Sequence, residues 1–251
     1  MTSVRLLPAT TSASVAGRLT AWTNAWLSGR AGPDDVIAGV RADGPAQYID
    51  GLDGQSEPLA ALLIDWRLRG TTECLIALPI AGDVRGLPGP DDVRSAALEV
   101  GSVVLAAGTA AVPAAEPGHW TWLETEPVPR DPLHLREAEA ELMTTMRETA
   151  DIFASLGPSR WHDDTAAGLA GARRGALDLG LPPEHPQQAV RLLTLAHRLA
   201  GAIDLAIDQR SDGSITAADS YTRSTSLRVL ATAVRRALVA GYSATADSPV
   251  D

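Results

Sequence analysis

The chain has no lysine: all 21 of its basic residues are arginine. No Schiff base can form on a lysine, which excludes pyridoxal-phosphate and lysine-aldolase chemistry. The Gly-Lys-Ser/Thr of a P-loop and the lysine of a protein kinase cannot be built either. Cysteine is almost as scarce. Cys74 stands alone, so no intrachain disulfide and no CxxC zinc site can form, and its apolar run Cys74-Leu75-Ile76-Ala77-Leu78 reads as buried. Long hydrophobic runs are missing as well. The longest uncharged stretch, Gly101 to Ala115, is mostly small residues and too weakly apolar to span a bilayer. The N-terminus, Arg5 then Leu6-Leu7-Pro8, lacks the apolar core of a secretion signal. A formal net charge of -10 disfavours nucleic acid and anionic membranes as partners. There is no HExxH, no Gly-x-Ser-x-Gly elbow and no Gly-x-Gly-x-x-Gly after a strand. The expectation is a cytoplasmic protein with no cofactor, no nucleic-acid partner and no membrane contact.

What is present is periodicity. Val15, Leu19, Trp22 and Trp26 recur at helical spacing from Thr11 onward. Pro33 followed by Asp34-Asp35 opens a second helix, with a first-turn proline and acids that suit the helix dipole. Gln47 to Leu52 reads as a short strand. Leu59–Arg69 and Glu73–Ile80 flank Gly70-Thr71-Thr72, and their alternation predicts a β-hairpin, although Leu59, Leu62, Leu63 and Trp66 also fit a helix. Val93, Ala97, Val100, Val104 and Ala107 predict a helix that stops at Gly108, and His119–Glu126 alternates as a strand. Pro127–Asp131 breaks the pattern. Beyond it, helices are expected from Asp131 to Leu156, from Asp164 to Asp178, from about Pro186, and from Thr216 to Gly241.

The fold class is therefore α+β. A small antiparallel sheet with packing helices over 1–128 is followed by a helical bundle over 129–242 and a disordered tail over 243–251.

The acidic run Glu137, Glu139, Glu141, Glu148 and Asp151 suggests a carboxylate metal site. A bundle di-metal centre needs Glu-x-x-His pairs on inward faces, no such inward pair is expected in the chain, and a solvated helix face explains the run. Trp161-His162-Asp163-Asp164 is the densest polar cluster with a histidine, and it is also a good helix cap. Asp208 to Asp219 resembles an EF-hand loop: Asp208, Asp212, Gly213, Ile215 and Asp219 take positions one, five, six, eight and twelve. Arg210 puts a cation at position three, and a tight turn plus a helix cap explains the same residues. An unchanged melting temperature on adding calcium would remove the metal reading.

Leu78-Pro79-Ile80-Ala81-Gly82-Asp83, running into Gly86-Leu87-Pro88-Gly89-Pro90, and the Asp212-Gly213-Ser214-Ile215-Thr216-Ala217 hairpin resemble an uncharacterised family of proteins from high-GC bacteria. The resemblance implies a shared fold over most of residues 59–241 and no particular activity.

Three functions remain. The first is a non-enzymatic protein-binding, adaptor or self-associating module, resting on the missing catalytic motifs and the Trp-rich apolar helices. The second is an enzyme or small-ligand binder with a pocket between the two parts, drawing on Asp65, Arg67, Trp120 or His162. The third is weak calcium binding through Asp208, Asp212 and Asp219.

Overall fold

The computed structural model describes residues 6–8, 10–127, 134–155, 178–208 and 217–245. In chain order the helices are α1 (Thr10–Leu27), α2 (Pro33–Arg41), α3 (Leu59–Leu68), α4 (Asp91–Val100), α5 (Leu135–Ser155), α6 (Gln187–Asp208) and α7 (Ala217–Ser243). The strands are β1 (Tyr48–Asp50), β2 (Ser56–Pro58), β3 (Leu75–Ala77), β4 (Val103–Ala106), β5 (Thr109–Pro113) and β6 (His119–Glu124). The fold class is α+β, as the residue pattern implies.

The six strands form one sheet in the order β2-β1-β6-β5-β4-β3. Every pairing is antiparallel except β1 with β6, which sets Tyr48 opposite His119 and Asp50 opposite Thr121. Successive strand side chains face opposite ways, so the sheet feeds two cores. Val103, Leu105, Ala110 and Val112 face α4, with its Val93 and Ala97. Val104, Ala106, Ala111 and Trp120 face the main core, shared with α1, α3 and the C-terminal helices.

Two expected elements are corrected. Leu59–Arg69 is a helix and not the first arm of a hairpin. Leu59, Leu62, Leu63 and Trp66 recur at i, i+3, i+4 and i+7, and all four are buried. The strand reading would instead bury Ile64 and Leu68 beside Leu62 and Trp66. Of the expected Glu73–Ile80 arm, Leu75–Ala77 is strand (β3), and it pairs with β4. The helix expected to run from Val93 to Ala107 stops at Val100, where Gly101 takes the left-handed conformation (φ 84°). A Cβ there would also lie 2.9 Å from Pro8 Cβ. β-Branched Val103 and Val104 then favour a strand, which turns through Ala107 (φ 47°) and Gly108 (φ 75°). Positive φ at both central residues marks a two-residue hairpin turn.

In the C-terminal half, α7 packs against α5 and α6 and also reaches α1 and β3. Arg235 on α7 is 4 % exposed, donates from Nη1 to the Leu6 carbonyl (2.8 Å) and from Nη2 to Asp83 (2.5 Å). On the next position, Arg236 pairs with Glu141 of α5 at 3.0 Å. α7 is thus the element on which the two halves meet. Residues 164–177 of the expected Asp164–Asp178 helix, and the Asp131-Pro132 helix start, lie outside the described residues.

A second buried polar link joins α6 to α7. His197 Nε2 lies 2.8 Å from the Tyr242 hydroxyl, and the tyrosine ring fills the space over Gly17 of α1, where a Cβ would clash at 2.4 Å. Burial pushes the His197 pKa down to about 4 and the Tyr242 pKa up to about 12. The imidazole is therefore neutral in the fold, sharing one hydrogen bond between Nε2 and the phenol. A lowered histidine pKa means that the unfolded chain binds the extra proton first. Stability is full above about pH 6.5 and falls towards pH 4, by an amount on the order of 3 kcal/mol. Urea unfolding at pH 7 and pH 4.5 checks this, and His197→Gln should flatten the slope.

Candidate functional site

The outer side of α3 is the first place where exposed groups gather. Its inner side is fully buried, yet Ile64 is 61 % and Leu68 82 % exposed, one turn apart. Asp65 accepts from Arg69 Nε through both carboxylate oxygens, at 2.8 and 2.9 Å. The Arg69 guanidinium also lies 5.5 Å from the Trp122 ring centre and 4.0 Å from Glu124. Arg67 lies 4.9 Å from the Trp26 ring centre, and among the described residues no carboxylate pairs with it. Cation–π contact holds both arginines in place while leaving their edges open to a partner.

Asp65 and Arg67, two positions apart on α3, flank its outer side from opposite edges, Asp65 with Arg69 towards Trp122 and Arg67 towards Trp26. Trp120 does not join them. It is 1 % exposed, on the core side of β6, and donates its indole N–H to Gln47 Oε1 at 2.9 Å. His162 and Asp212 lie outside the described residues. Asp208 closes α6 and Asp219 lies in the first turn of α7, with residues 209–216 between them also outside.

A cleft between the halves does exist, but other residues line it: Ala21, Ala25, Arg30, Pro182, His185 and Ala244. Its volume is about 100 Å³, below the roughly 300–1,000 Å³ of ligand pockets. His185 is committed within it, donating from Nε2 to the Gly241 carbonyl at 2.9 Å. Burial lowers its pKa, so it stays neutral.

A second cluster forms around His119, at the start of β6. Glu116-Pro117-Gly118-His119 forms a turn closed by the His119 N–H to the Glu116 carbonyl (3.1 Å), with Gly118 at φ 90°. Proline then glycine with positive φ is the type II arrangement. A Cβ on Gly118 would meet the Ala46 carbonyl oxygen at 2.5 Å, which adds a packing reason for glycine. From β1, Asp50 Oδ2 lies 3.0 Å from His119 Nδ1, and Tyr48 stacks on the imidazole with centroids 5.4 Å apart. On the other side of the ring, Glu116 Oε1 lies 3.9 Å from Nε2. Hydrogen bonds from Ser56 and then His119 hold the Asp50 carboxyl below the usual carboxylate range. Sixty-nine residues separate Asp50 from His119, so no local signal announces the pair. The Glu-x-x-His spacing of 116 and 119 was the one visible clue.

Cys74 is fully buried, and burial raises its thiol pKa well above the ordinary value. Its backbone N–H and carbonyl pair with the Asn24 side chain at 2.7 and 2.9 Å, which satisfies β-edge groups deep in the core. That thiol is a structural residue. Among the described residues no helix is long and apolar enough to cross a membrane.

Comparison with known proteins gives two family matches. The N-terminal domain of the Rv1486c-like protein family matches residues 16–134, and its C-terminal domain matches residues 136–239. Two relatives from Mycobacterium tuberculosis are similar to the chain: uncharacterized protein Rv1486c of strain ATCC 25618 / H37Rv, and uncharacterized protein MT1533 of strain CDC 1551 / Oshkosh. Each is 25 % identical over 280 residues, covering 90 % of this chain and 95 % of the relative. No solved structure matches.

Proposed function

The chain belongs to the Rv1486c-like protein family, and from that premise we propose that it is a non-enzymatic, self-associating module whose contact face is the outer side of α3. The observation that carries this reading is the exposure of Leu68 and Ile64, at 82 % and 61 %, on a helix whose inner residues are 0–2 % exposed. Two large aliphatic side chains one turn apart form the kind of anchor that helices insert into a partner. They are framed by two arginines stacked on tryptophans, residue types enriched among interface hot spots.

A second copy is the partner that the charges favour. An isologous contact sets a patch against itself, so it needs both signs on one face. Asp65 and Glu124 supply the negative groups, Arg67 and Arg69 the positive ones. Arg67, which pairs with no carboxylate among the described residues, gains one across the two-fold. The net charge of -10 opposes approach at low salt, and at 0.15 M ionic strength the Debye length of about 8 Å removes most of that repulsion. The division after residue 128 into an α+β part and a helical part belongs to the same reading. The changeover of the two family matches between residues 134 and 136 supports it.

Sedimentation velocity over a concentration series at 0.15 M salt tests the proposal. Wild type should show a concentration-dependent dimer. Leu68→Glu should weaken it about 100-fold, since burying a leucine contributes about 1.5 kcal/mol and the two-fold counts it twice. At concentrations low enough for wild type to be monomeric, the two melting temperatures should agree, because Leu68 supports no core. A wild-type chain that stays monomeric throughout, or a Leu68→Glu dimer as tight as wild type, overturns the assignment.

A further inference from the structure

Independently of the α3 face, we propose that the Glu116–His119 turn is a binding site for one divalent transition-metal ion, ligated by His119 Nε2 and Glu116, with Asp50 orienting the imidazole. The argument begins with the histidine's other nitrogen. Asp50 Oδ2 stands 3.0 Å from Nδ1, so Nδ1 carries the hydrogen and the Nε2 lone pair is left to face outward. A carboxylate on the far nitrogen of a metal-ligating histidine is the usual way of fixing both tautomer and ring direction. Tyr48, stacked on the ring at an interplanar angle of 26°, restrains its remaining rotation.

The second ligand is held by backbone geometry. Pro117 and Gly118 lock the turn, which places residues 116 and 119 side by side with Glu116 Oε1 3.9 Å from Nε2. Two donors on a tetrahedral ion with bonds of about 2.0–2.1 Å lie roughly 3.3 Å apart. The Glu116 side chain is 76 % exposed, so a small rotation brings its carboxylate into range.

Electrostatics point the same way. Two carboxylates flank one imidazole, and among the described residues no arginine pairs with either of them. The surrounding chain, at -10, raises the local concentration of cations. Among the described residues no three metal-ligating side chains converge anywhere. The site therefore supplies two protein ligands and leaves the other positions to water. One nitrogen and one carboxylate oxygen suit Zn²⁺, Ni²⁺ or Cu²⁺ better than Ca²⁺ or Mg²⁺.

Titration calorimetry of the full chain with ZnCl₂ is the test. Wild type should bind one equivalent saturably. Glu116→Gln, which alters only an exposed side chain, should weaken binding at least 10-fold with unchanged circular dichroism. Asp50→Asn should weaken it about 10- to 100-fold, the usual effect of losing an orienting carboxylate. His119→Ala should abolish it, and CuCl₂ added to wild type should give an electron paramagnetic resonance spectrum with coupling to one nitrogen. Absence of saturable Zn²⁺ binding to wild type overturns the proposal. So does binding that survives His119→Ala, or that is indifferent to both Glu116→Gln and Asp50→Asn.

Discussion

Arg235→Ala should destabilise the protein by about 3–5 kcal/mol, the range expected when one partner of a buried ion pair is removed. The variant leaves the Leu6 carbonyl without its donor and Asp83 without the cation that covers it from α7. Asp83 keeps Arg85, which binds it at 2.8 and 2.9 Å, so the carboxylate is not wholly stranded. Guanidinium unfolding of wild type and variant gives the difference directly. A loss below about 1 kcal/mol would mean that water replaces the guanidinium at no great cost, as at exposed pairs. The pH dependence provides a second check. Arg85 first, and Arg235 with it, hold the Asp83 carboxyl well below the usual range. A lowered carboxylate pKa gives stability that is present above the unfolded value, near 3.8, and lost as pH falls below it. Arg235→Ala should flatten the acid limb in that window, below the region where His197 acts.

Trp66→Ala is expected to cost about 3–5 kcal/mol, the range for emptying a large buried aromatic site. Trp66 is 0 % exposed, and its indole N–H donates to Thr109 Oγ1 at 2.8 Å, tying α3 to the sheet. Two residues further on, Leu68→Ser should change stability by less than about 0.5 kcal/mol, as surface substitutions do. Thermal melts of the two variants in parallel separate the faces of α3. Comparable losses for both would place Leu68 in a core contact and undermine the α3 interface.

Particular elements show how far the residue pattern reaches. α1, α2, β1 and β6 stand where periodicity and end signals put them, because amphipathic spacing and a first-turn proline act within a few residues. The order of an α+β part before long helices was legible for the same reason. α3 was ambiguous for a physical cause: Leu59, Leu62, Leu63 and Trp66 satisfy a helical stripe, and Leu62, Ile64, Trp66 and Leu68 satisfy an alternating one. Only the available partner surfaces choose between them. The break at Gly101 carried a signal in Gly101 itself and in Val103-Val104, which the continuing apolar spacing masked.

The candidate sites were less legible. Asp65 and Arg67 were identifiable as residues, but their place beside exposed Ile64 and Leu68 depended on α3 being a helix. The Glu116–His119 turn was visible as a spacing, whereas Asp50 arrives from another strand through the parallel β1–β6 pairing. Trp120 looks the same on paper whether it faces ligand or core. The sheet's two-sided packing put it in the core.

By itself the sequence determined what chemistry is closed to this protein and where most of its helices and strands begin. Lysine and cysteine chemistry depends only on which residues exist, and local structure depends on neighbours a few positions apart. Tertiary structure decided the rest: the single parallel strand pair, the Arg235–Asp83 link across 152 residues, the His119–Asp50 pair and the exposure of α3's outer face. Each of these is a contact between segments distant in the chain. Such contacts form because burying the apolar faces of separate elements stabilises one mutual arrangement, and the polar groups are then paired by where that packing leaves them.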